Sequence, residues 1–268
     1  MTYCVGVHVE DGLVFVSDTR TNAGIDHIST FRKINFYQIE GDRILILQTA
    51  GNLATSQSVF AKIQQDITEG AERNLLNTST MHQAALMVGE YAREVTRHAQ
   101  SVADKVKGFT SSFILGGQIK NQEPELYQIY TEGNSIHSTP DTHFFQIGEV
   151  KYGKPILDRS LTFESSIEAA LKAALISFDS TIRSNLSVGF PLDLIVYHKG
   201  SLSINEPLRI DRDDEYISQI RVIWNEGLKK ILDEVPHVPE HYSTSQSPDK
   251  PTPSQSKTSP ASAKKTKA

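Results

Sequence analysis

The first hairpin is the feature that most constrains this chain. Thr2 to Glu10 and Leu13 to Asp18 are apolar or alternating runs, and Asp11-Gly12 between them supplies the residues that a tight hairpin turn favours. The chain therefore starts inside a sheet, with Thr2 at the head of the first strand. A polar loop, TRTNAGIDHIST, follows at 19–30. A second hairpin is expected from Lys33 to Gln38 and Ile44 to Gln48, around Glu40-Gly41-Asp42.

Helical periodicity then takes over. From Leu53 to about Thr68 it places Phe60, Ile63 and Ile67 on one face, and from about Thr80 to His98 it does so with Ala84, Val88, Tyr91 and Val95. Strand patterns return at Ser111 to Gly116, Glu125 to Tyr130 and His143 to Ile147. A short helix near Pro155 to Arg159 precedes a longer one, about Ser165 to Arg183, with Ile167, Leu171, Leu175 and Phe178 on its apolar face. A strand from Leu192 to Tyr197 and a helix from about Asp214 to Val235, with Ile217, Ile220, Trp224, Leu228 and Ile231, complete the order. Hairpins separated by paired helices predict an α+β fold, two sheets packed face to face with helices outside: a four-layer α/β/β/α sandwich.

Composition divides the chain in two. Residues 1–238 hold the patterned body, and 38% apolar residues overall is enough for one sizeable core. Residues 239–268 are mostly Ser, Thr, Pro, Gln and Lys, too poor in apolar side chains to offset their ordering entropy, so this tail is expected to be disordered. The tail carries five Lys against Glu240 and Asp249, so a formal charge of -5 for the whole leaves the body more acidic still. That excess argues against nucleic acid as the main partner, because phosphate binding needs a clustered basic face. No apolar run is long enough to span a membrane, and the start MTYCVGVHVEDG lacks a secretory pattern, so a cytoplasmic location without membrane contact is expected. Cys4 is the only cysteine, which excludes an intrachain disulfide, and the nine scattered histidines give no metal-ligating pair.

Thr2 carries the chemistry. Its small side chain permits removal of Met1, the only processing expected, and this would leave a free α-amine beside a hydroxyl. Such an amine, with a pKa of about 7.7 to 8.0, can take the hydroxyl proton near neutral pH. Threonine is also simply a common second residue. Asp18 closes the second strand sixteen residues on, where the hairpin folds it back towards the chain start, and Lys33 opens the third strand. A lysine ammonium near the amine lowers its pKa, and an aspartate beside that lysine keeps it charged. Either charge taken alone reads as a solvated or loop-capping group. Gly51, in the run TAGNLATSQ between a strand and a helix, is either an ordinary turn or a close-approach glycine whose N–H would serve an oxyanion. Thr21, Phe31, Ile34 and Thr49 lie near these motifs in sequence and are candidate pocket walls.

The start TYCVGV, the SDTR and FRK segments and the TAGNLA turn resemble proteasome β-subunits and bacterial HslV. SDTRTNAG, STFRK, AGNLAT, IGEVKYGKPILDR and SFDSTIRSNLSVG resemble more closely the bacterial ancestral β-subunit family, Anbu, over Met1 to about Leu232. The resemblance implies the N-terminal-nucleophile hydrolase fold and a threonine-type peptidase. It also implies self-assembly into rings or helical ring-like stacks, a peptide or unfolded-protein substrate, and no cofactor or metal. It carries Thr2 over as nucleophile, Asp18 as partner of Lys33, Lys33 as tuner of the amine, Gly51 as oxyanion donor and Ser187 as a supporting serine. Where the family has Gly-Ser-Gly and a later Asp-x-x-Ser, this chain has Gly148-Glu149-Val150 and Ser184-Asn185-Leu186-Ser187, with Glu149 or Asp179 as candidate substitutes. Cys4 would be a rival nucleophile only if three residues were trimmed, and the family's Thr-to-Asp spacing fits Thr2 instead. Hydrolysis of small or isopeptide amides, and a weakly active or non-catalytic assembly, remain as alternatives; an unfoldase partner is not indicated by the residues.

Overall fold

The computed structural model describes residues 2–22, 28–102 and 108–243. The opening hairpin is β1 (Tyr3–Val9) and β2 (Gly12–Asp18), and the second is β5 (Ile34–Ile39) and β6 (Arg43–Gly51). Two short strands, β3 (Arg20–Asn22) and β4 (Ile28–Thr30), form a ribbon inside the stretch expected to be loop. Their Thr, Asn and Ser residues carry no apolar alternation, which is why pattern alone misses them; positions 23–27 lie outside the described residues. The chain continues through α1 (Leu53–Thr68), a 3-10 turn (Leu75–Asn77), α2 (Met81–Val102), β7 (Ser111–Ile119), β8 (Glu125–Ile129), β9 (Ser135–His137) and β10 (Phe144–Gly148). It ends with α3 (Lys154–Ser160), α4 (Ile167–Ser184), β11 (Leu192–His198), β12 (Leu208–Ile210), α5 (Glu215–Glu234) and α6 (Glu240–Ser243). The turn at 75–77, β9 and β12 are three residues each, too short to show a period.

Two antiparallel five-stranded sheets result, ordered β10-β1-β2-β11-β12 and β5-β6-β7-β8-β9. The pleat sorts each strand between two cores. Tyr3, Val5, Val7, Val9, Val14 and Val16 pack with Leu157 of α3 and Leu175 and Phe178 of α4. Cys4, Leu13 and Phe15, on the opposite face, pack with Ile44, Ile46, Ile114 and Leu126 of the other sheet. Leu45 and Leu47, alternating with Ile44 and Ile46, meet Ile63 of α1 and Val88 of α2. The predicted four layers are therefore present, each apolar face covered once. Phe15 sets the spacing of the sheets: a Cβ on Gly116 would lie 2.6 Å from its ring, and one on Gly6 2.9 Å from Ile114, so glycine at both positions lets the sheets close.

Residues Met1–Asn225 form one compact unit and Glu226–Ala268 a second. In the first, Ile217 of α5 is buried and Ile220 packs on the core, as the helical period predicts. In the second, Leu228, Ile231 and Leu232 are exposed. Of the tail, Glu240–Ser243 is the helical α6, a departure from the disorder expected from residue 239, and 244–268 lie outside the described residues. Among the described residues no helix is long and apolar enough to cross a membrane.

One histidine ties the fold to pH. His8 of β1 has its Nδ1 2.9 Å from Ser138 Oγ and its ring edge-on to Phe163. Burial, and then the neighbouring His137 and His143, lower its pKa to about 4, with Glu123 opposing and Lys199 reinforcing the shift. The unfolded chain, with an ordinary value of about 6.5, binds the proton more readily. His8 thus stabilises the fold above about pH 6.5, and up to about 3 kcal/mol is lost as pH falls through 4. Thermal unfolding from pH 7.5 to 4 should show a smaller loss for His8→Gln than for the parent; equal losses would remove His8 as a cause.

Candidate active site

The site is assembled where the heads of β1 and β5 and the end of β6 come together. Thr2 lies one residue before β1, half-buried, and its carbonyl accepts the Glu149 N–H at 2.7 Å. Asp18 ends β2, fully buried. Its Oδ1 accepts both the Tyr3 N–H at 3.1 Å and the Lys33 ammonium at 2.7 Å. Lys33 is therefore two hydrogen bonds from the Thr2–Tyr3 peptide, and its Nζ is further held by the Arg20 carbonyl at 2.5 Å. It stands just before β5 rather than in it, with its own carbonyl accepting Thr49 N–H at 3.0 Å, which anchors it to β6. Burial pushes the Asp18 carboxyl up from its ordinary pKa, while the Lys33 ammonium and the Tyr3 N–H pull the other way. A pair this deeply enclosed keeps one geometry, because neither group can turn to water.

Gly51 is the last residue of β6, with φ +121°; a Cβ there would lie 2.5 Å from Thr110 O and 2.9 Å from Ser111 Cα. Local packing thus requires glycine whatever else the residue does. Asn52 then caps α1, its Oδ1 accepting Thr55 N–H at 3.1 Å. A Cβ on Gly148 would lie 1.9 Å from the Thr2 carbonyl oxygen and 3.5 Å from Ala50 Cβ, so Thr2, Gly148 and the residue before Gly51 share one corner.

Ser187 arrives from a loop after α4. Glu149, 2% exposed, accepts Asn185 Nδ2 at 2.8 Å, and Asn185 Oδ1 accepts Ser187 N–H at 2.9 Å. The residue whose N–H holds the Thr2 carbonyl therefore also positions Ser187 through Asn185. From the other side Arg20 donates to the Leu186 carbonyl at 2.9 Å and packs on Gly189, where a Cβ would sit 2.6 Å from the guanidinium carbon. Asn185 and Arg20 have no signal in the sequence beyond their neighbours, since their partners lie 36 and 166 positions away. Asp179, the other candidate substitute, pairs instead with Arg221 at 2.9 Å. No bond joins Ser184 to Thr2, Asp18 or Lys33.

The candidate pocket walls are corrected in part. Ile34 is in the core between the sheets, and Thr49 is buried with its hydroxyl 2.8 Å from Ser56 Oγ, so neither lines a pocket; Phe31 is exposed. Cys4 is fully buried, its Sγ donates to Thr49 O at 3.4 Å, and burial pushes its thiol pKa up. That makes it core filler. Among the described residues no group of His, Cys, Asp and Glu is arranged to hold a metal ion.

Comparison with known proteins identifies the family of the fold. The proteasome subunit family model matches residues 2–196. The helical assembly of the Anbu complex from Pseudomonas aeruginosa is 53% identical, with 90% of this chain and 99% of that chain covered and a TM-score of 0.86. Anbu (ancestral beta-subunit) from Yersinia bercovieri is 46% identical over 88% and 99%, with a TM-score of 0.84. Anbu from Hyphomicrobium sp. strain MC1 is 42% identical over 88% and 99%, with a TM-score of 0.81. No curated protein matches the sequence. With the family model spanning most of the chain and Anbu chains matched over nearly their whole length, the chain belongs to the proteasome subunit family, on its Anbu (ancestral β-subunit) branch.

Proposed function

We propose that the chain is a threonine-type peptidase in which Thr2, once it is the first residue, is both nucleophile and base. The observation that carries this reading is the buried Lys33–Asp18 pair, whose shared carboxylate oxygen also holds the amide immediately after Thr2. A freed α-amine there lies beside a fixed positive charge, which lowers its pKa and favours the neutral form that accepts the hydroxyl proton. The Thr2 oxygen attacks a peptide carbonyl, the Gly51 N–H meets the resulting oxyanion, and the amine passes the proton to the leaving nitrogen. The ester that remains is hydrolysed by a water activated through the same amine. Glu149 and Asn185 replace the family's serine and aspartate by fixing the Thr2 carbonyl and the Ser187 loop at once.

The test is intact mass before and after an epoxyketone-type probe, with the adduct mapped. Loss of Met1 and one adduct on Thr2 are expected. An unprocessed chain, or a processed one that gains nothing, would sink the assignment. A screen of denatured protein, short peptides and γ-linked amides separates a peptidase from a small-amide hydrolase.

Self-assembly is the second part of the proposal, as in the helical assembly of the Pseudomonas aeruginosa relative. Val222 and Ile223 of α5 are 54% and 70% exposed in the single chain, an unfavourable placement unless another copy covers them. Light scattering should give a multiple of the chain mass that falls with Ile223→Glu. A single-chain mass across a wide concentration range excludes assembly.

A further inference from the structure

One cleft gathers charge opposite in sign to the net charge of the chain. It has a volume of about 310 Å³ and is lined by Asp179, Ile182 and Arg183 of α4, by Phe190, and by Arg212 and Arg221. The chain as a whole carries -5, yet three guanidiniums here face one carboxylate. Like charges drawn together around a cavity repel one another, and a purely structural arrangement would match them with acids. Asp211 and Asp213, on either side of Arg212 in sequence, are not among the lining residues.

The donors are also unspent. Arg221 uses its Nε on Asp179 Oδ1 at 2.9 Å, and Arg183 uses one Nη on Asn225 Oδ1 at 2.9 Å. Arg212 makes no hydrogen bond or ion pair among the described residues. Each guanidinium offers five N–H donors in a fork that matches the paired oxygens of a carboxylate or phosphate. Asp179, 8% exposed, holds Arg221 in place and offsets one of the three positive charges, which leaves two in excess. Ile182 and Phe190, both packed on the core behind, give the cleft an apolar side.

We propose that this cleft binds a small ligand carrying an oxyanion, carboxylate or phosphate, on a partly apolar body, with Arg183, Arg212 and Arg221 as its donors. The cleft is lined by none of Thr2, Asp18, Lys33, Gly51 or Ser187, and its proposal does not depend on the peptidase reading.

Titration calorimetry on the full chain tests it, with inorganic phosphate and citrate as probes and sodium chloride at equal ionic strength as control. Saturable binding of at least one probe is expected, weakened roughly ten- to a hundredfold by Arg212→Gln and by Arg183→Gln, as the loss of charged hydrogen bonds implies. Tighter phosphate binding identifies a phosphate ligand and tighter citrate binding a carboxylate one. Arg212 has no partner to lose, so its variant should unfold at the parent temperature without anion, which separates lost binding from lost structure. The proposal is overturned if chloride reproduces the heat, or if the variants bind like the parent. It also fails if neither anion binds; should Arg212→Gln then change the mass of the assembly, the cleft is a contact between chains.

Discussion

Thr2→Ala should reduce peptide hydrolysis to the uncatalysed background and abolish labelling by the epoxyketone-type probe. Alanine keeps the α-amine but removes the only atom that can become the acyl ester, so no smaller effect is compatible with covalent catalysis. Thr2→Ser, which keeps the hydroxyl, should retain measurable turnover. The fold should barely respond: Thr2 precedes β1, and its bond to Glu149 uses the main chain, so a change below about 1 kcal/mol is expected. Cys4 offers no escape route in the variant, because it is enclosed between the sheets. Activity that survives Thr2→Ala, with the fold intact, removes Thr2 as the nucleophile.

Lys33→Met should injure chemistry and stability together. On the proposed mechanism the ammonium keeps the Thr2 amine neutral near pH 7, so its removal should lower turnover roughly 10²- to 10⁴-fold. The folding cost comes from Asp18, which stays fully buried and loses its cation, a loss of about 3–5 kcal/mol at neutral pH. The sign of the pH effect distinguishes this from simple loss of packing. Burial already raises the Asp18 pKa, and removing Lys33 removes the largest opposing influence. A carboxyl with a raised folded-state pKa stabilises the fold below its unfolded value, and that contribution disappears as pH rises through the folded one. The gap in melting temperature between parent and variant should therefore narrow as pH falls towards 4. Adding Asp18→Asn to Lys33→Met should recover part of the stability and none of the activity. A gap that is constant with pH would mean that Asp18 is not what the lysine supports.

Much of this protein was legible in its residues. The Asp11-Gly12 turn and the alternation on either side of it placed Thr2 at the head of a strand, and the structure has that hairpin with Asp18 at its end. The periods of α1 and α4 named the residues that reach the cores, because a long element repeats its instruction many times. Short elements do not: β3, β4, β9 and β12 span three residues each and were visible only once their partners were in place. The hairpins separated by paired helices predicted the four-layer order and the resemblance supplied the expected roles, while the hairpin spacing gave Asp18 and Lys33 a physical reason to approach Thr2.

What the sequence by itself determined was therefore local: periods, turns, and the order in which chemistry-bearing residues occur. Tertiary structure alone decided which pleat face meets a helix and which meets the other sheet, since Val14 and Phe15 are equally apolar. It also decided that Glu149, through Asn185, holds Ser187, that Arg20 closes the same loop, and that Asp179 belongs to an arginine cleft and not to Thr2. Each of these depends on contacts between residues tens to hundreds of positions apart. No local pattern encodes such contacts, because they exist only after two sheets and their helices have closed on one another.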